Sequence, residues 1–134
     1  MPSEEISVHD NVILSYTVGC KSREIVFETE FPGDERELTN VTFSGVVAYE
    51  FQNDSEARSM IFDFEEDSPL ALYDDNVEKF RAHLPYGWPG KWAKSRESAR
   101  AFFQENGIRA WYLAASVGMH GWILARSMVF ERVG

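Results

Sequence analysis

A chain of 134 residues with 44% hydrophobic and 14% aromatic content has the size of one domain and is too apolar to be disordered. Its net charge of −9 opposes nucleic-acid binding, and its longest apolar stretches are too short to span a membrane. A lone cysteine, Cys20, excludes an internal disulfide framework.

The first half reads as strands. Ile6 to His9 is a short one. Val12 to Val18 alternates, with Val12, Leu14, Tyr16 and Val18 expected on one face. Gly19 to Ser22 is a turn, and Glu24 to Phe31 alternates again with Ile25, Phe27 and Thr29 on one face, which predicts an antiparallel hairpin. Pro32, Gly33, Asp34 and Glu35 break that strand. Thr39 to Phe51 is the longest strand candidate, with Gly45 in its middle marking a bulge or a close backbone approach. Gln52 to Ser55 is a turn, and Met60 to Glu65 follows with Met60, Phe62 and Phe64 inward, Asp63 and Glu65 outward, and Ile61 breaking the alternation. Five strands joined by short polar turns predict a meander.

The period then changes. Ser68 caps a helix with Pro69 at its first position, and Val77, Phe80, Arg81 and Leu84 recur at helical spacing. Pro85 to Trp92, with two prolines and two glycines, fits no regular element. Ser95 caps a second helix carrying Ala99, Phe102 and Phe103 on its apolar stripe, and Asn106-Gly107 stops it. Ile108 to Val117 and Trp122 to Val133 return to strand composition, joined through Gly118 to Gly121 as a hairpin. The expected fold is α+β: a single domain over residues 1–134, a mostly antiparallel sheet of about seven strands, and two helices packed on one face.

No residue pattern declares a reaction. His9, His83 and His120 have no second His or Cys at metal-ligand spacing, no serine sits in a nucleophile elbow, and Gly87 and Gly90 do not follow a strand as a phosphate loop would. No catalytic residue, metal or cofactor is therefore assigned. His9-Asp10-Asn11 reads as an Asx-type turn between strands. Asp63 and Glu65 share a strand face at roughly 6–7 Å, a spacing that can hold a cation or share acid–base work, with His9 as a third group. Trp88 and Trp92, interleaved with Lys91, Lys94, Arg96 and Arg100, read first as rings plugging the core edge and second as anchors for a ligand.

Charge is split along the chain. Residues 1–80 hold 19 acids and 5 bases, whereas residues 81–134 hold 3 acids and 8 bases. Such asymmetry speaks of partners rather than of fold. The acidic start, Met1 to Ile6, lacks the basic segment and apolar run of a secretory signal, and with one cysteine the reducing cytoplasm is the expected compartment.

Three phrases of the first half, His9-Asp10-Asn11, Phe43-Ser44-Gly45-Val46-Val47-Ala48-Tyr49-Glu50-Phe51 and Ile61-Phe62-Asp63-Phe64-Glu65-Glu66, resemble those of a group of small bacterial α+β proteins. Some of these occur as immunity proteins of polymorphic-toxin systems. The resemblance implies a cytoplasmic protein with no catalytic residue to carry over, and an immunity role. Together with the charge it leads to an expected non-enzymatic binder of a basic protein, with no nucleic acid or membrane partner. Glu28, Glu30, Glu50, Asp63, Glu65 and Glu66 are its expected acidic face, and Trp88 or Trp92 its anchors. A small enzyme using Asp63 and Glu65, and a self-associating protein that pairs by a sheet edge, are the alternatives.

Overall fold

Alternation of apolar and polar residues dictates most of what forms. A computed structural model describes residues 10–32, 37–52 and 59–133. Its strands are β1 (Val12–Gly19), β2 (Glu24–Phe31), β3 (Glu37–Ser44), β4 (Ala48–Gln52), β5 (Ser59–Asp67), β6 (Arg109–Val117), β7 (His120–Ala125) and β8 (Ser127–Val133). Two helices, α1 (Pro69–His83) and α2 (Arg96–Asn106), lie between β5 and β6. The fold is α+β with helices on one side of an antiparallel sheet, as expected, and has eight strands rather than seven. The expected strand at Ile6 to His9, and the turn residues Gly33 to Glu35 and Asn53 to Ser55, lie outside the described residues.

Two of the expected strands are each divided in two by a bend. Thr39 to Phe51 does not run straight: at Gly45 the backbone takes φ +65°, a left-handed value that glycine adopts without strain. A Cβ there would also sit 2.8 Å from Cγ of Arg126, so the bend requires the missing side chain. Trp122 to Val133 bends opposite it, at Arg126. Pairing continues through both bends: the Val47 N–H donates to the Leu124 carbonyl and the Arg126 N–H to the Ser44 carbonyl, each at 2.9 Å.

The sheet order is β4-β7-β6-β5-β1-β2-β3-β8, with every neighbour antiparallel. Because β3–β4 and β7–β8 are each one bent strand, the two ends of that order meet and the sheet rolls into a barrel. β1 to β3 keep the meander arrangement. β4 is carried by the Gly45 bend onto β7, and β5 crosses to pair with β1 and β6.

Phe27, Phe43, Phe64 and Trp111 fill the barrel with ring centroids 5.4–6.0 Å apart, and Ile25, Val41, Ile61, Leu113 and Ile123 pack around them. Two irregularities set which residues point in. A bulge between Ile13 and Ser15 turns Leu14 outward, 54% exposed, so Ile13, Tyr16 and Val18 face the core instead of the expected Val12, Leu14, Tyr16 and Val18. A shift around Ile61 in β5 buries Ile61 and Phe64 together.

β6 and β7 are buried on both faces. Trp111, Leu113 and Ile123 face the barrel, while Ala110, Trp122 and Leu124 face Leu72, Tyr73 and Phe80 of α1 and Ala99 and Phe103 of α2. Two-sided burial explains their nearly continuous apolar sequence. Helix ends follow the expected signals. The Ser68 hydroxyl accepts from the Ala71 N–H and the Ser95 hydroxyl from the Ser98 N–H, at 3.3 and 3.1 Å, and Gly107 ends α2 at φ +62°. Between the helices lie two short 3₁₀ turns, Leu84–Tyr86 and Lys91–Lys94, and the cis bond Trp88–Pro89.

Candidate functional site

Helices cover the outside of β4, β6 and β7, and no residue of β1, β2, β3 or β8 belongs to that layer. The pairing registers place the outward side chains of these four strands in rows across the barrel. One row runs Ser15, Glu28, Asn40, Glu131; another Thr17, Val26, Thr42, Val129; a third Glu30, Leu38, Val133; a fourth Glu24, Ser44, Ser127. Among these outward positions there are four glutamates and no lysine or arginine. The Ser15 hydroxyl donates to Glu28 at 2.8 Å and the Ser44 hydroxyl to Glu24 at 3.3 Å, so these carboxylates are steadied by neutral donors. Val129, Val133 and Leu38 are exposed among them, Val129 at 55%. Acidic and exposed aliphatic side chains are interspersed on this four-stranded face, which the helices do not cover among the described residues.

The structure brings Glu28 and Glu30 into this face and sets the other expected residues apart. Asp63 and Glu65 are exposed on β5, where the Phe64 N–H donates to Asp63. Glu66 lies one residue on, its carboxylate bonded through both oxygens to Arg109 at 2.7 Å, an arrangement that holds its pKa below the ordinary value. The same guanidinium stacks 4.9 Å over the Trp111 ring. Glu50 sits under α1, bonded to Lys79 at 2.7 Å. Trp88 and Trp92 are half-buried in the helical layer, Trp88 against Phe80 and Trp122, Trp92 stacked on Phe102 at 5.3 Å. They plug the core edge, the first of the two readings given by their sequence context.

Sequence reasoning missed Glu24, Glu131, Leu38, Val129 and Val133. Their outward parity in alternating strands was visible, but that β8 lies beside β3 was not.

A second cleft, about 410 Å³, gathers polar groups between α1, β4, β6 and β7. Its groups bond one another: Lys79 to Glu50, the Tyr112 hydroxyl to Asp75 at 3.2 Å, and His120 Nε2 to Gln52 Oε1 at 3.0 Å. Burial pushes the Tyr112 hydroxyl up to about 12, helped by the negative charges of Asp75 and Asp67. The first two pairs tie α1 to the sheet, and the third joins β4 to β7. His83 stands edge-on to Trp88 at 5.5 Å, and His9 lies outside the described residues. Asn11 is buried and its amide donates to Thr29, which in turn donates to the Thr39 carbonyl, binding β1 to β2 and β3. Among the described residues no group of three or more His, Cys, Asp or Glu is placed to hold a metal ion.

Compared with known proteins, the chain matches no protein-family model, and no match is found among curated proteins or solved structures. The functional reading therefore rests on geometry and charge.

Proposed function

We propose that this is a non-enzymatic acidic binding protein that docks a basic protein partner on the outer face of β1, β2, β3 and β8. The observation that carries the reading is that face itself: Glu24, Glu28, Glu30 and Glu131 with no cation among its outward positions, and Leu38, Val129 and Val133 exposed between them. Clustered carboxylates steer a basic protein to the face and speed encounter, and the aliphatic side chains supply desolvated contact once it has docked. A secreted nuclease-type toxin is the partner class that the resemblance to immunity proteins suggests. A lone exposed thiol, Cys20, suits a reducing compartment such as the cytoplasm, and no helix among the described residues is long and apolar enough to cross a membrane.

The test is association kinetics against a panel of basic nuclease domains at about 0.03 M and about 0.3 M salt. The expected on-rate falls at least about tenfold at the higher salt, and Glu28→Lys with Glu131→Lys removes that dependence without moving the melting temperature. Salt-independent binding, or binding indifferent to the two reversals, defeats the reading. Self-association is a second reading, favoured by one observation: among the described residues β8 has a strand partner on one side only, and an unpaired strand edge can pair with a second copy. Light scattering separates the two.

A further inference from the structure

Where β3 bends into β4 and β7 into β8, a groove runs between the β1–β2 turn and the loop from Trp88 to Gly90. It has two lobes, of about 310 and 550 Å³, which share Arg23, Val46, Val47 and Pro89 as a common wall. That is the size range of small-molecule sites. Its backbone is specialised. Arg23 holds φ +59°, rare for a residue with a Cβ, and is fixed there by its N–H donating to the Gly19 carbonyl and its carbonyl accepting from the Val46 N–H, at 2.8 and 2.9 Å. Gly45 lets the aliphatic stem of Arg126 lie across the bend. Gly90 leaves room for the indole of Trp92, whose Nε1 would stand 2.6 Å from a Cβ.

Charge in the larger lobe runs against the rest of the molecule. Arg23 and Arg126 both line it, and no acid does among the described residues; Glu24 lines only the smaller lobe. Lys79, Arg96, Arg109 and Arg132 are each paired with a carboxylate, whereas neither groove arginine has an ion pair among the described residues. Arg126 makes only a long contact, 3.5 Å, to the Asn106 amide oxygen. Between these cations and Trp88 the wall is Val46, Val47 and Pro89.

We propose that the groove is a binding site for a small aromatic carboxylic acid. Its carboxylate lies between Arg23 and Arg126, and its flat body runs along Val46, Val47 and Pro89 toward Trp88. Guanidinium groups suit a planar carboxylate, and the apolar wall supplies the area that an inorganic anion would not use.

Calorimetric titration with 2-naphthoate and with its uncharged amide tests this. The acid is expected to bind at least about tenfold more tightly than the amide. Arg126→Met keeps the stem over Gly45, and Arg23→Asn suits the left-handed backbone. Each is expected to bring the acid down to the amide's affinity while leaving the amide's binding and the melting temperature unchanged. Equal affinity for acid and amide, no binding of either, or parental affinity in both variants overturns the proposal. None of these outcomes depends on the acidic face or its partner.

Discussion

Ala110, Trp122 and Leu124, on the outside of β6 and β7, are sealed under α1 and α2, whereas Glu28 and Val129, on the outside of β2 and β8, meet water. Both sets project from the same rolled sheet, and both strands pairs carry aromatic or aliphatic residues on their inner faces. The difference is made by what the chain supplies next. After β5 it spends residues 68 to 107 on two capped helices and a tryptophan loop, and these settle on β6 and β7, which follow them, and on β4. The outer faces of β1, β2, β3 and β8 stay bare among the described residues. The covered face is packed against α1 and α2; the bare one carries four glutamates.

The largest expected effect is on the covered side. Phe80 is fully buried and touches Tyr73, Trp88, Trp92 and Trp122. Phe80→Ala is expected to cost about 3–5 kcal/mol in urea unfolding. Val129→Thr on the bare side should stay within about 0.5 kcal/mol. Equal losses would erase the contrast between the two faces.

Next in size is Gly121→Ala. A Cβ there would run into the Glu50 carbonyl oxygen and stand 2.9 Å from Cα of Phe51, so β4 must move away from β7. A loss of about 1–3 kcal/mol is expected, with hydrogen exchange rising in β4 while β1 to β3 keep their protection. Uniform exchange through the whole sheet would show that the two sides do not loosen separately.

The smallest effect is a pH dependence in the tie between α1 and β6. In the folded protein the Tyr112 hydroxyl ionises near 12, against about 10 for a free tyrosine. The fold favours the neutral phenol, so its contribution is complete below about pH 10 and is lost as pH climbs from there toward 12. Tyr112→Phe should therefore give a shallower fall in stability over that window than the parent. Superimposable pH curves would remove Tyr112 from the tie.

The hairpin of β1 and β2, the caps Ser68 and Ser95, and the stop at Gly107 were legible because each depends on a few adjacent residues. Gly45 was legible as a break but not as the hinge of a barrel. Its partner in the bend, Arg126, is far along the chain and carries no turn signal of its own. The candidate face was half legible: Glu28 and Glu30 declare their outward direction by alternation, while Asp63, Glu50 and Glu66 carry the same sign and go elsewhere. Glu66 is drawn to Arg109 and Glu50 to Lys79, pairings made between strands and a helix that only the fold brings close.

Local order in the chain decided the elements, their caps and, outside the irregular strands β1 and β5, which side of a strand is apolar, since these follow from periods of two and 3.6 residues and from single residues with special backbone freedom. Which strands lie side by side, where the sheet closes, and which outer face the helices leave bare were decided by tertiary packing alone. Closure needs β3–β4 and β7–β8 to bend together, and the aromatic side chains of distant strands must fill one interior before any outside exists to be covered or left open.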